Sequence, residues 1–162
     1  MKTIIHFLPK FIFFLLLSIG FYSVAYSQNS YQYECVSVSN DGNAIINIWN
    51  PKKGKNYKLE QARKDAINAI LYSGIPSNSI CLSQKPILQK QEEQSKFQKI
   101  EKEFFKTNGV WSTYTRLSKT ETTIPNNLGS KKWKVYQVSV AKDLLRKYLE
   151  EKNILKPLNE GF

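Results

Sequence analysis

Residues 31–49 read YQYECVSVSNDGNAIINIW, two β-forming runs on either side of Asn40-Asp41-Gly42-Asn43. Tyr31 to Val38 alternates. From Ala44 to Trp49, Ile46 and Ile48 share one face, and Ile45, Asn47 and Trp49 share the other. Two such runs around an Asp-Gly turn predict a β-hairpin with one face turned to a core. Pro51 stops the second strand, because proline has no backbone N–H to donate to a ladder.

Working outward toward the C-terminus, Lys58–Tyr72 places Leu59, Ala62, Ala66, Ala69 and Ile70 on one helical stripe, opposite Arg63, Lys64, Asp65 and Asn68. Three alanines on the buried side predict close approach to a sheet, and Ser73-Gly74-Ile75-Pro76 ends the helix. A second helix is expected over residues 88–106, with Phe97, Ile100 and Phe104 as its apolar stripe. A strand is expected over 110–117, a polar loop over 118–131, a strand over 133–140 and a last helix over 142–152 striped by Leu144, Leu145, Tyr148 and Leu149. The order ββααββα predicts an α+β fold, a small antiparallel sheet with helices packed on one face.

Toward the N-terminus, Lys2 and Lys10 precede an apolar run from Phe11 to Val24 and then Ala25-Tyr26-Ser27. A basic start, an apolar core and small residues at −3 and −1 make the secretory pattern, with cleavage before Gln28. The run is short of the roughly 20 apolar residues that a membrane span needs. The expected organisation is therefore a signal peptide at 1–27, one domain at 28–152 and a loosely held tail at 153–162. The processed chain would carry 22 basic and 13 acidic residues, a formal +9, and would lose His6, the one histidine. Exported chains form disulfides, so Cys35 and Cys81 are expected to pair; two buried thiols are the plain alternative.

Without histidine, Ser-His-Asp and Cys-His catalysis and His-based zinc sites are excluded for the processed chain. No Gly-x-Gly-x-x-Gly, P-loop or Cys-x-x-Cys occurs, and no cofactor is expected. Asp41-Gly42-Asn43 lacks the further oxygen ligands of a calcium loop and reads as a turn. The acid pairs Glu92-Glu93, Glu101/Glu103 and Glu150-Glu151 sit among lysines on helices, where they support i,i+4 ion pairs rather than a cleft. A small enzyme using Lys, Ser or carboxylate chemistry remains the alternative.

The positive charge is concentrated. Lys52, Lys53, Lys55 and Lys58 lie within seven positions, and Lys131, Lys132 and Lys134 flank Trp133. Lysines interleaved with an aromatic can follow a polyanion or stack on sugars, although a lysine-rich surface also serves solubility alone. Tyr114 and Arg116 are expected on one face of the third strand with Trp111 on the other, so Trp111 and Trp133 are candidate exposed aromatics. Export disfavours nucleic acid as a partner and leaves an envelope protein, or an anionic glycan or lipid surface. The expected function is a non-enzymatic binding or accessory module in the periplasm or at the cell surface; a stand-alone binder of anionic glycan is a further alternative.

Ala62, Ala66 and Ala69, with Val135-Tyr136-Gln137-Val138-Ser139-Val140 running into Leu144-Leu145, give the chain a pattern that resembles the small swivel-type domains of envelope lipoproteins and flagellar assembly proteins. The chain is also similar to small exported bacterial proteins. Those resemblances imply an envelope setting and no particular activity.

Overall fold

The computed structural model describes residues 30–121 and 133–158. Strands β1 (Gln32–Val38), β2 (Asn43–Trp49), β3 (Thr115–Glu121) and β4 (Val135–Ala141) form one sheet in the order β1-β2-β4-β3, every neighbour antiparallel. Helices α1 (Leu59–Asn68), α2 (Gln91–Phe104) and α3 (Lys142–Glu151) complete an α+β fold.

The hairpin forms as its sequence dictates. Ser39 N–H bonds Asn43 O (2.9 Å), and Gly42 takes φ +75°, a conformation that costs glycine nothing. Its carbonyl accepts the Lys142 N–H (3.0 Å) at the start of α3, so close to the Asp143 side chain that a Cβ on Gly42 would overlap it. The turn thus fixes where the last helix begins.

Ala44, Ile46 and Ile48 of β2, with Tyr136, Val138 and Val140 of β4, form the core face. Against it α1 lays Ala62 and Ala66, both fully buried; the small side chains bring helix and sheet together. Leu145 and Leu149 of α3 join the same core. The α2 helix enters through Phe97 and Phe104, whose rings meet Tyr72, Phe105, Tyr114 and Tyr148. On the opposite face of the sheet Glu34, Asn47 and Gln137 are linked across three strands, with Asn47 Nδ2 donating to Glu34 Oε1 (3.0 Å). Alternation at period 2 separates the two faces.

Three local features depart from the sequence reading. First, α1 widens into a π-helical turn at Ala69–Ser73. There the Ile70 and Leu71 carbonyls accept bonds from the Ile87 and Leu88 N–H groups of the returning chain. Second, the expected strand over 110–117 begins only at Thr115; Val110–Tyr114 is a 3-10 turn. The Ser112 and Thr113 hydroxyls donate back to the Gly109 and Val110 carbonyls (2.8 Å each), and Trp111 is drawn inward, which outweighs β-propensity. Third, Ile154 and Leu155, placed in the expected tail, are 4% and 5% exposed, and both N–H groups bond Leu149 O.

Cys35 and Cys81 form a disulfide with their Cα atoms 6.2 Å apart. Among the described residues no helix is long and apolar enough to cross a membrane.

Candidate functional site

The register sets Trp49, the last residue of β2, opposite Val135, the first of β4. The turn that follows β2 and the residues that precede β4 therefore lie at the same end of the sheet. Trp133 Cδ1 is 3.9 Å from the position a side-chain carbon on Gly54 would take, so the indole edge comes up beside the basic turn.

A buried polar frame shapes this end. Asn50, 1% exposed, accepts the Lys52 and Lys53 N–H groups on its side-chain oxygen (3.0 Å each) and donates to Ser30 Oγ (2.9 Å). Asn50 O also accepts the Gly54 N–H (2.9 Å), which folds the turn tightly. Tyr57 is wholly buried just beyond the turn. Its carbonyl accepts the Tyr136 hydroxyl (3.0 Å), and the two rings meet edge to face at 5.8 Å. That contact joins the exit of the basic turn directly to the entry of β4, the physical reason the two stretches stay together.

Beneath the turn, Tyr57 Oη donates to Asp65 Oδ2 and Gln61 Nε2 to Asp65 Oδ1 (2.8 Å each). Burial raises the Asp65 carboxyl above its ordinary value; the two donors and the charge of Lys53 partly offset this. Burial, and then the neighbouring Asp65, push the Tyr57 hydroxyl up.

Lys52, Lys53, Lys55, Lys58 and Lys134 are exposed, and among the described residues none of their ammonium groups is in an ion pair. Elsewhere lysines do pair along helices, as Lys64 with Glu60 and Lys96 with Glu92. The basic end therefore carries an excess of positive charge that no ion pair among the described residues neutralises, although Asp65 feels Lys53 and Glu60 feels Lys58; Trp133 is half-buried there. Lys131 and Lys132 lie outside the described residues.

Trp111 is not part of any such surface. It is 3% exposed, its Nε1 donates to Lys106 O (2.9 Å), and Arg63 and Lys64 stand over its ring at 5.0 Å. Arg63 also bonds Thr115 Oγ1, Ser112 O and Thr115 O, clamping the 3-10 turn to α1. Tyr114 belongs to the 3-10 turn rather than to the third strand, so it does not share a strand face with Arg116; both line a cleft of about 250 Å³ with Asn43, Ser139 and Leu144.

Sequence reasoning missed Asn50, Tyr57, Asp65 and Tyr136. Tyr57 and Tyr136 each sit next to a lysine cluster, the one signal that could have marked them. The helical stripe puts Asp65 on the polar side of α1, yet it is 6% exposed. It lines none of the three described clefts. Among the described residues no group of three or more His, Cys, Asp or Glu side chains could hold a metal ion. Compared with known proteins, the chain matches no family model, no curated protein and no solved structure.

Proposed function

We propose that this chain is an exported, non-enzymatic binding module of the bacterial envelope, and that it engages an anionic partner through its basic aromatic end. The observation that carries this reading is the approach of Trp133 to the Gly54 turn, at an end of the sheet with five lysines that have no ion-pair partner among the described residues. The secretory pattern of residues 1–27 and the Cys35–Cys81 disulfide support an oxidising compartment, where acidic glycans and lipid headgroups are the abundant polyanions. A net cationic patch attracts such a partner over about 8 Å at physiological salt. A flat indole adds stacking on a sugar face. Asp65 supports structure rather than catalysis: its two oxygens are taken by Tyr57 and Gln61, and it faces no described cleft.

Trp49 and Trp111 are buried, so of the three tryptophans Trp133 is the one that reports on a ligand at this end. Titration with de-acylated lipopolysaccharide, which offers anionic sugars and no acyl chains, should change the indole emission of the processed protein. The change should vanish in Trp133→Phe. Emission that does not respond, or that responds equally in Trp133→Phe, contradicts the assignment.

A further inference from the structure

The two most exposed large hydrophobic side chains among the described residues are Leu82 (87%) and Ile80 (71%), on either side of disulfide-bonded Cys81. Cys81 points inward at 5% exposure while its neighbours point out. The loop that presents this pair is tightly bonded. Ile75 and Gln84 exchange two backbone hydrogen bonds at its base (2.9 and 2.8 Å). At its tip Asn78 Oδ1 accepts the Ile80 and Cys81 N–H groups (2.9 and 2.7 Å), and Asn78 N–H donates to Cys81 O (3.0 Å). Asn78 Nδ2 donates to Cys35 O (2.7 Å), fastening the loop to β1 beside the disulfide.

We propose that Ile80 and Leu82 form a rigid prong that enters the headgroup–acyl boundary of an anionic lipid bilayer. Two features favour lipid over a pocket in a protein partner. The Ile80 and Cys81 N–H groups and the Cys81 carbonyl are already bonded within the loop, which lowers the cost of bringing that stretch of backbone to the polar headgroup–acyl boundary, where the remaining groups can still meet headgroups and water. The flanks are cationic: the sequence holds no acidic residue between Asp65 and Glu92, Lys85 is exposed beside the prong, and Lys142 Nζ donates to Gln84 Oε1 (2.6 Å) at the loop base. Aliphatic tips with lysines behind them match an apolar interior under anionic headgroups. Because the loop is already ordered by the disulfide and Asn78, insertion costs little further conformational entropy. The prong does not depend on the basic end. Through Lys142 it is tied to the Gly42 end of the sheet, opposite the Trp49–Val135 end.

The test is co-sedimentation of the processed chain, its N-terminus verified by intact mass, with vesicles of phosphatidylcholine and phosphatidylglycerol at 7:3. Each aliphatic side chain withdrawn from the boundary should weaken partitioning about tenfold, so Ile80→Ser/Leu82→Ser should lose on the order of 100-fold. The double variant should still bind de-acylated lipopolysaccharide and melt like the parent. Charge reversal at Lys52 and Lys53 should leave a prong-dependent fraction of vesicle binding. Equal partitioning of parent and double variant, or no partitioning of the parent, overturns the proposal. So does a parent that self-associates in solution through the same two residues, which would make a second copy the occupant.

Discussion

Reducing the Cys35–Cys81 disulfide perturbs the fold without removing a side chain. The bridge spans 46 positions of sequence. On the chain-entropy model, closing a loop of that length in the unfolded ensemble is worth about 4 kcal/mol at 25 °C. A domain of this size has a total stability of roughly 5–15 kcal/mol, so the bridge supplies a large share. At some 3–5 °C per kcal/mol, reduction should lower Tm by about 15 °C. The native loop should nonetheless stay in place at low temperature. The Asn78–Cys35 bond, the Ile75–Gln84 pair and the Tyr33 hydroxyl on Gly74 O (2.9 Å) all survive reduction. The assay is guanidinium unfolding of oxidised and reduced protein, with Cys35→Ala/Cys81→Ala as a second comparison; the variant should lose slightly more, since both sulfurs are buried. A loss below about 1 kcal/mol would refute the entropic account, which assigns a bridge of this span several times that much.

Three further outcomes are expected. Gly74→Ala should cost about 3 kcal/mol in urea unfolding, because Gly74 holds φ 77° and ψ −154° and a Cβ there would sit 2.2 Å from the Gln84 carbonyl oxygen; a neutral result would contradict the tight passage. Arg63→Met should cost roughly 2–4 kcal/mol, read in the same way, by stripping Thr115 O, Ser112 O and Thr115 Oγ1 of one charged donor. Asp65 carries a raised carboxyl in the fold, so its contribution is fully present below its unfolded value and is lost as pH rises through the folded one. Urea midpoints of Asp65→Asn should therefore fall less than those of the parent as pH rises from about 4, and identical profiles would contradict the buried placement.

Much of this fold is legible in local pattern. The Asp-Gly turn, the alternation of Ile46 and Ile48, and the alanine stripe of α1 each act through near neighbours or a single period, which a sequence displays directly. Trp111 was misread because its surroundings are threonine- and aromatic-rich, whereas Arg63, 48 positions earlier, fixes its burial. Asp65 misled for a similar reason. A charged residue on the polar side of a stripe reads as solvated, and it is covered by Tyr57, eight positions earlier, which the Tyr136 hydroxyl from 79 positions away holds under the β4 entry. The candidate site was legible as two lysine clusters. What brings the first cluster to the same end as Trp133 and Lys134 is strand register and one tyrosine–carbonyl bond between residues 57 and 136, which no local pattern encodes. The prong was missed because Ile80 and Leu82 look like ordinary core residues until the disulfide turns Cys81 inward between them.

The most direct test of the central claim is the salt dependence of binding to de-acylated lipopolysaccharide, measured for the parent and three charge-reversed variants. Binding through one net cationic lobe releases counterions, so log K should fall linearly with log salt and steepen with the number of lysines engaged. Lys52→Glu/Lys53→Glu and Lys134→Glu should each flatten that slope and weaken binding, while Lys99→Glu/Lys102→Glu on the exposed side of α2 should change neither. Binding that is indifferent to salt, or that falls as much for the α2 variant as for the other two, would contradict the claim that the Trp133 end is where this protein meets its partner.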